Sequence, residues 1–379
     1  MYFIDFLRGT LGTGTSTTPA SFEYRLTCSG ILYNDNVVTF DRMKSDVSAI
    51  LATQPFAMSV VNRPLDAEYP QELRLRFQVG TVTETNNTGS ASVLLTPDEE
   101  IAGDFAGLLS VFTALLVTVH CPVQTTLPDY PADHPFHDFP QPVVRHTSAR
   151  YRKRLKLHHI TRGDGTSEIQ DPNPAAVAVS PERFELFLKQ FAGATHAEAI
   201  LRAARLYATA LELADTWPDL SYTLLISSIE TVAEAELSGE DGTLEEKLSM
   251  YKPLDKKAES IGLDKTAREQ LVCAAAEKEK WIGRKFRRFL EHNTPTSFWD
   301  REPGLFEPKS QDFTKTLTQI YRKRSDLLHS GLSFPETTKA TADGVPARAM
   351  LLHNERYHIP PLRWFERLVQ TALRTFITK

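Results

Sequence analysis

The feature that most constrains this chain is a change of hydrophobic period along its length. Glu72 to Val79 alternates strictly, with Leu73, Leu75, Phe77 and Val79 on one face, the period of a half-buried strand. Phe22 to Cys28 alternates more loosely, and Asn86-Asn87-Thr88-Gly89 supplies turn chemistry before Ala91 to Leu95. A sheet with one wet face favours antiparallel pairing. Beyond residue 180 the period becomes helical. Helices are expected from His196 to Leu213, Leu220 to about Leu237, Leu244 to Tyr251, Lys265 to Glu291, Asp312 to Leu328 and Pro361 to Ile377. Gly163, Asp164, Gly165, Pro172 and Pro174 lie between the two patterns and read as a linker. The expected fold class is therefore α+β: a β-rich sensor or regulatory domain over residues 1–165, a linker over 166–180, and an all-helical domain over 181–379. The helical part is large enough to bury its own core.

One long helix is expected in the first part. Thr96 suits the N-cap, Pro97 the first helical position, and Glu99 completes a capping box. Asp98, Glu99 and Glu100 suit the positive end of the dipole, and the helix is expected to run to about Val119. Residues 120–146 then carry Pro122, Pro128, Pro131, Pro135, Pro140 and Pro142, so regular structure is not expected there. The side chains of Asp133, His134, His137 and Asp138 are possible metal ligands in type. Their spacing fits no metal site and Pro135 breaks any helical arrangement, so a polar loop is the preferred reading and no metal is expected.

Composition excludes several classes. Hydrophobic residues at 41% and charged residues at 24% rule out a mainly disordered chain. A net charge of -5, from 43 basic and 48 acidic side chains, rules out a generally cationic nucleic-acid coat. Any contact with nucleic acid needs a local patch, and the basic stretch from Arg145 to Arg162 is the candidate. Within it Arg150, Arg152, Lys153, Arg154 and Lys156 surround Tyr151, a pattern able to follow a phosphate backbone. The same alternation also suits an edge strand kept soluble by charge. Cys28, Cys121 and Cys273 form no disulfide framework. Met1 to Phe6 lacks the pattern of a signal peptide, and the apolar stretch Phe105 to Val119 is shorter than a membrane span. These features give the expectation of a cytoplasmic protein without membrane contact. The chain has no GxxxxGKS/T loop, no GxGxxG after a strand, no HExxH and no GxSxG, which argues against the common nucleotide-binding, zinc-protease and hydrolase designs.

The helix expected from Asp312 carries the main chemical signal. At about 100° per residue, Phe313, Leu317, Ile320, Tyr321, Leu327 and Leu328 fall within roughly 120° of arc, and Arg324 projects near its middle. An unpaired guanidinium is costly to bury. A buried acid, a second subunit or an anion-receiving cleft would each resolve it. His329 follows at the helix end, before Gly331, which suits a left-handed cap. Histidine is the side chain that changes charge nearest neutral pH.

Ile320 to Gly331, reading Ile-Tyr-Arg-Lys-Arg-Ser-Asp-Leu-Leu-His-Ser-Gly, resembles the signature of the HEPN superfamily, an Arg followed by four to six residues and a His. The Apea-like branch is the most similar: a tyrosine, then Arg-Ser, two aliphatics, His and a nearby glycine. Ser330 stands where that branch usually has a glycine, with Gly331 one place later. The alanine-rich His196 to Leu213 and the segment Leu224 to Glu230 resemble the upstream helices of the same branch, so the resemblance covers about residues 181–379. The spacing also occurs at Arg154/His159, Arg287/His292 and Arg348/His353, without the surrounding Tyr, Ser, aliphatic pair and glycine. Trp281 to Arg288 reads instead as a basic helix face.

The resemblance implies a metal-independent endoribonuclease without cofactors, working in a prokaryotic defence or toxin setting. Arg324 and His329 would be its catalytic residues, and two copies would pair through the helical domain. Glu230 would orient His329 or balance Arg324, or is a purely structural acid. The partners implied are RNA, a second copy, and a trigger acting on the N-terminal domain. The alternative is a HEPN module that pairs or binds without catalysis.

Overall fold

The computed structural model describes residues 2–8, 19–29, 31–34, 49–51, 56–62, 71–80, 82–85, 92–95, 98–126, 160–161, 167–168, 176–214, 216–240, 242–276, 281–301, 307–334 and 359–379. The chain is mixed α and β. Its first part contains α1 (Tyr2–Leu7), β1 (Pro19–Cys28), β2 (Ile31–Asn34), β3 (Ala49–Leu51), β4 (Phe56–Asn62), β5 (Gln71–Gly80), β6 (Val82–Thr85), β7 (Ser92–Leu95), α2 (Asp98–Thr113) and β8 (Val117–Thr126). The short strands β9 (Ile160–Thr161), β10 (Ser167–Glu168) and β11 (Ala176–Val179) follow.

The strict alternation in β5 does what its period requires. Leu73, Leu75, Phe77 and Val79 are buried, as are Phe22, Tyr24, Leu26 and Cys28 of β1. The two strands pair antiparallel with Phe22 opposite Phe77 and Tyr24 opposite Leu75. They sit at the centre of a five-stranded sheet of order β3-β4-β5-β1-β8. The apolar face takes α2, whose Phe105 ring lies 4.7 Å from that of Phe56. On the opposite face Glu23 pairs with Arg74 and Arg76, and Arg25 meets Glu72 at 2.7 Å.

Several boundaries differ from the sequence reading. Within the part read as β-rich, the first residues form the helix α1; Phe3 and Phe6 pack their rings on Phe56. Thr96 and Pro97 lie outside the described residues. The helix expected to reach Val119 ends at Thr113. There the Thr113 and Ser110 hydroxyls donate to the Leu109 and Ala106 carbonyls, and Ala114 turns the chain at φ 56. The apolar residues beyond it serve β8 instead, and this strand runs through Pro122 to Thr126 where no regular structure was expected. Pro122 is accommodated between two register shifts in the β1–β8 ladder, the kind of irregularity where a strand tolerates proline. At the end of the stretch read as a linker, β11 pairs in parallel with β2.

The helical part comprises α3 (Pro181–Gly193), α4 (Ala197–Leu213), α5 (Pro218–Glu236), α6 (Leu244–Met250), α7 (Lys252–Ser260), α8 (Lys265–Ala276), α9 (Ile282–Asn293), α10 (Phe313–Ser330) and α11 (Leu362–Ile377). The sequence reading did not name α3, although Ser180 caps it by accepting from the Arg183 N–H and Pro181 opens it. The single helix expected over 265–291 is two. Its second half starts at Trp281, which holds left-handed backbone at φ 51 without being glycine.

The α4 and α5 helices pack closely. Ser228 donates to the Ala203 carbonyl at 2.9 Å and Ser221 to that of Ala210 at 2.7 Å. The same core continues into the first part through α2. A Cβ on Gly107 would lie 3.5 Å from the Ala204 backbone, so α2 and α4 cross with almost no side chain between them. Arg205 bridges to Asp104 and Glu100, and Gln370 donates to the Val111 carbonyl at 2.7 Å. Among the described residues no helix is long and apolar enough to cross a membrane.

Candidate functional site

The α10 helix buries Leu317 and Ile320 completely, while Leu328, expected on the same apolar face, is 55% exposed. The buried arc is thus narrower than its composition suggests and fades towards the helix end. Arg324 lies on the side facing α5. Its Nη2 donates to Glu230 Oε2 at 2.8 Å, with side-chain exposures of 23% and 13%. Of the three resolutions open to a guanidinium here, an acid is the one realised, and that acid is largely enclosed. The clasp has one point of contact: Arg324 Nε and Glu230 Oε1 are buried without hydrogen-bond partners.

Tyr321 completes the cluster. Its ring centroid lies 5.8 Å from the Arg324 guanidinium. Burial, and then the neighbouring Glu230 carboxylate, push its hydroxyl up to about 12. Burial likewise raises Glu230 above the usual carboxylate range, against the opposing pull of Arg324 and Tyr321. The Tyr321 ring is in turn wedged between Phe286, at 5.5 Å, and Gly283.

His329 stands apart from this cluster. It lies exposed in the last turn of α10, just before Gly331, whose φ of 65 and N–H bond to the Leu327 carbonyl close the helix. Five helical positions separate Arg324 from His329, about 140° around the axis and about 7.5 Å along it. Neither a hydrogen bond nor an ion pair joins His329 to Arg324 or Glu230. The structure therefore brings Arg324 and Glu230 together, and leaves His329 open at the helix end.

The basic face read in Trp281 to Arg288 is matched by acids. Arg284 meets Glu246 at 3.1 Å, Lys285 meets Glu234 at 3.1 Å, and Arg288 pairs with Glu240. This face joins α9 to α5 and α6. The candidate RNA-binding residues Arg150, Arg152, Lys153, Arg154 and Lys156 lie outside the described residues, as do Asp133, His134, His137 and Asp138. Among the described residues no group of three His, Cys, Asp or Glu side chains is placed to hold a metal ion. Sequence reasoning put Tyr321 on the apolar arc and missed its place beside Glu230; its position one turn before Arg324 was the available signal. Gly283, an unremarked glycine inside a helix, was missed altogether. Comparison with protein-family models, curated proteins and solved structures finds no match to the chain.

Proposed function

We propose that the helical part is a HEPN-type ribonuclease domain that cleaves RNA without a divalent metal, as the sequence resemblance implies. The observation that carries the reading is the exposed His329 at the capped end of α10, on the same helix as an arginine held by Glu230. Attack of a ribose 2′-hydroxyl on the adjacent phosphorus requires one group to accept its proton and another to protonate the leaving 5′-oxygen. An accessible imidazole serves either role. A guanidinium stabilises the charge that builds on the phosphoryl oxygens. One α10 directs Arg324 and His329 to different sides, so pairing two copies through the helical domain supplies the second imidazole and closes the site. The first part of the chain then senses a trigger or restrains this pairing, through the α2–α4 crossing, in a prokaryotic defence or toxin setting. The reading predicts cleavage in EDTA with products ending in a 2′,3′-cyclic phosphate. Activity lost in EDTA and restored by magnesium contradicts it.

A second reading, a HEPN pairing module without catalysis, is favoured by the Arg324–Glu230 pair itself. A guanidinium already answered by an enclosed carboxylate has less to offer a phosphate. Stable dimers in light scattering, with no cleavage of any RNA tested, select this second reading.

A further inference from the structure

We infer that Tyr321 is a positioning residue for Arg324, acting through Glu230, and that Gly283 is the position in α9 that makes room for it. The inference rests on the reading above in which Arg324 works on a phosphate. Three observations lead to it. First, the Arg324–Glu230 contact fixes a distance but not an orientation, because it is a single 2.8 Å bond. The second donor edge of the guanidinium, Nε, and the second carboxylate oxygen, Oε1, have no hydrogen-bond partner. A planar guanidinium gains its directional value from two-point contact, so something else must hold its plane.

Second, Tyr321 lies close to the guanidinium and is electrostatically coupled to the carboxylate. Its ring lies 5.8 Å from the guanidinium carbon, within the range of cation–π attraction. Burial raises both groups; the Tyr321 hydroxyl opposes the rise of the Glu230 carboxyl, and the carboxylate adds to that of Tyr321. Third, Tyr321 is itself immobilised. A Cβ on Gly283 would stand 2.8 Å from a Tyr321 ring carbon, a distance that real Cβ atoms do not adopt. The first turn of α9 is anchored by Trp281, whose indole fills the space over Gly242. A non-glycine residue in left-handed backbone costs energy that the surroundings must offset, and Trp281 bears that cost two residues from the contact with Tyr321. The arrangement is a stack: α9 backbone, Tyr321 ring, then Arg324 with Glu230.

The experiment compares the full chain with its Tyr321→Phe variant, which keeps the ring and its packing on Gly283 and Phe286 but lacks the hydroxyl. Glutamate labelled with 13C at the carboxyl carbon, with Glu230 assigned by Glu230→Gln, reads the Glu230 titration. The Arg324 Nε–H signal in 15N spectra reads the guanidinium. The expected result is a Glu230 midpoint about half a pH unit or more higher in Tyr321→Phe, with a displaced or weakened Arg324 signal. Gly283→Ala, which pushes the ring away, moves both in the same direction. A Tyr321 that only fills space leaves both signals in place in Tyr321→Phe, and that result overturns the inference. In the cleavage assay a positioning role lowers kcat and leaves KM nearly unchanged. Absence of cleavage in the wild-type chain refutes the ribonuclease reading, whereas the two spectroscopic signals still decide the role of Tyr321.

Discussion

Two helix seams in this molecule each set an arginine against a carboxylate, and they enclose the pair differently. Where α2 meets α4, Asp104 is 0% exposed but the Arg205 side chain is 46% exposed and also reaches Glu100. Where α5 meets α10, both members are largely enclosed and there is one acid. Each seam leaves a buried carboxylate oxygen without a hydrogen bond, Asp104 Oδ2 and Glu230 Oε1, but only the second also leaves its arginine Nε orphaned. The first seam is held mainly by backbone approach at Gly107 and Ala204, with Arg205 as a solvated strap. The second adds the charged pair to the fully buried Leu317 and Ile320 of α10. A half-satisfied buried pair is weak evidence for stability, and orphaned polar atoms call for a reason to be kept. On the proposed ribonuclease reading the reason at α10 is chemical, whereas Arg205 straps α2 to α4.

A third carboxylate sets the scale. Glu366 of α11 is buried and accepts a hydrogen bond from the Tyr207 hydroxyl. Burial pushes it up to about 7, against the pull of Tyr207, Arg363 and Arg367. A carboxyl group raised in the folded state contributes its stabilisation fully below its unfolded value, about 4.5, and loses it as pH rises through about 7. The wild-type chain should therefore lose about 3 kcal/mol of stability relative to Glu366→Gln between pH 4.5 and 8. Urea titrations of both proteins across that range check it, and parallel curves would mean that Glu366 titrates as an ordinary carboxylate.

The two seams should then separate. Arg324→Ala strands Glu230 in an enclosed position and is expected to cost about 2 kcal/mol at neutral pH. Adding Glu230→Gln should recover part of that loss, since the uncompensated charge is removed. Arg205→Ala should cost less, about 1 kcal/mol, because the Arg205 side chain is 46% exposed and its pairing is screened by solvent. Denaturant midpoints of the three variants measure the order. Equal losses at Arg205 and Arg324 would erase the contrast between the seams.

What the sequence disclosed follows the same physical division. Period-two patterning identified the buried face of β5, because alternation is fixed by the pleat. The helical period likewise located α4, α5, α10 and α11. Helix ends were harder, because two of the breaks fall on Ala114 and Trp281, residues whose left-handed backbone no local composition announces. Ser180-Pro181 did carry a capping signal for α3, masked by the Pro172 and Pro174 reading just before it. At the site, the cost of burying Arg324 showed that a partner was needed, and Glu230 was among the candidates named. The role of Tyr321 was not legible, because it depends on the approach of α9 at Gly283, a contact set by tertiary packing.

The proposed chemical role of the α10 arginine rests finally on His329. Its exposed place at the end of α10 means that His329→Ala should leave the melting temperature nearly unchanged. Cleavage of single-stranded RNA by the wild-type chain and by His329→Ala, side by side in EDTA, is the direct measurement. A loss on the order of 10²-fold or more is expected, as when a general acid–base group is removed. Cleavage at the wild-type rate by His329→Ala would contradict the proposed reading.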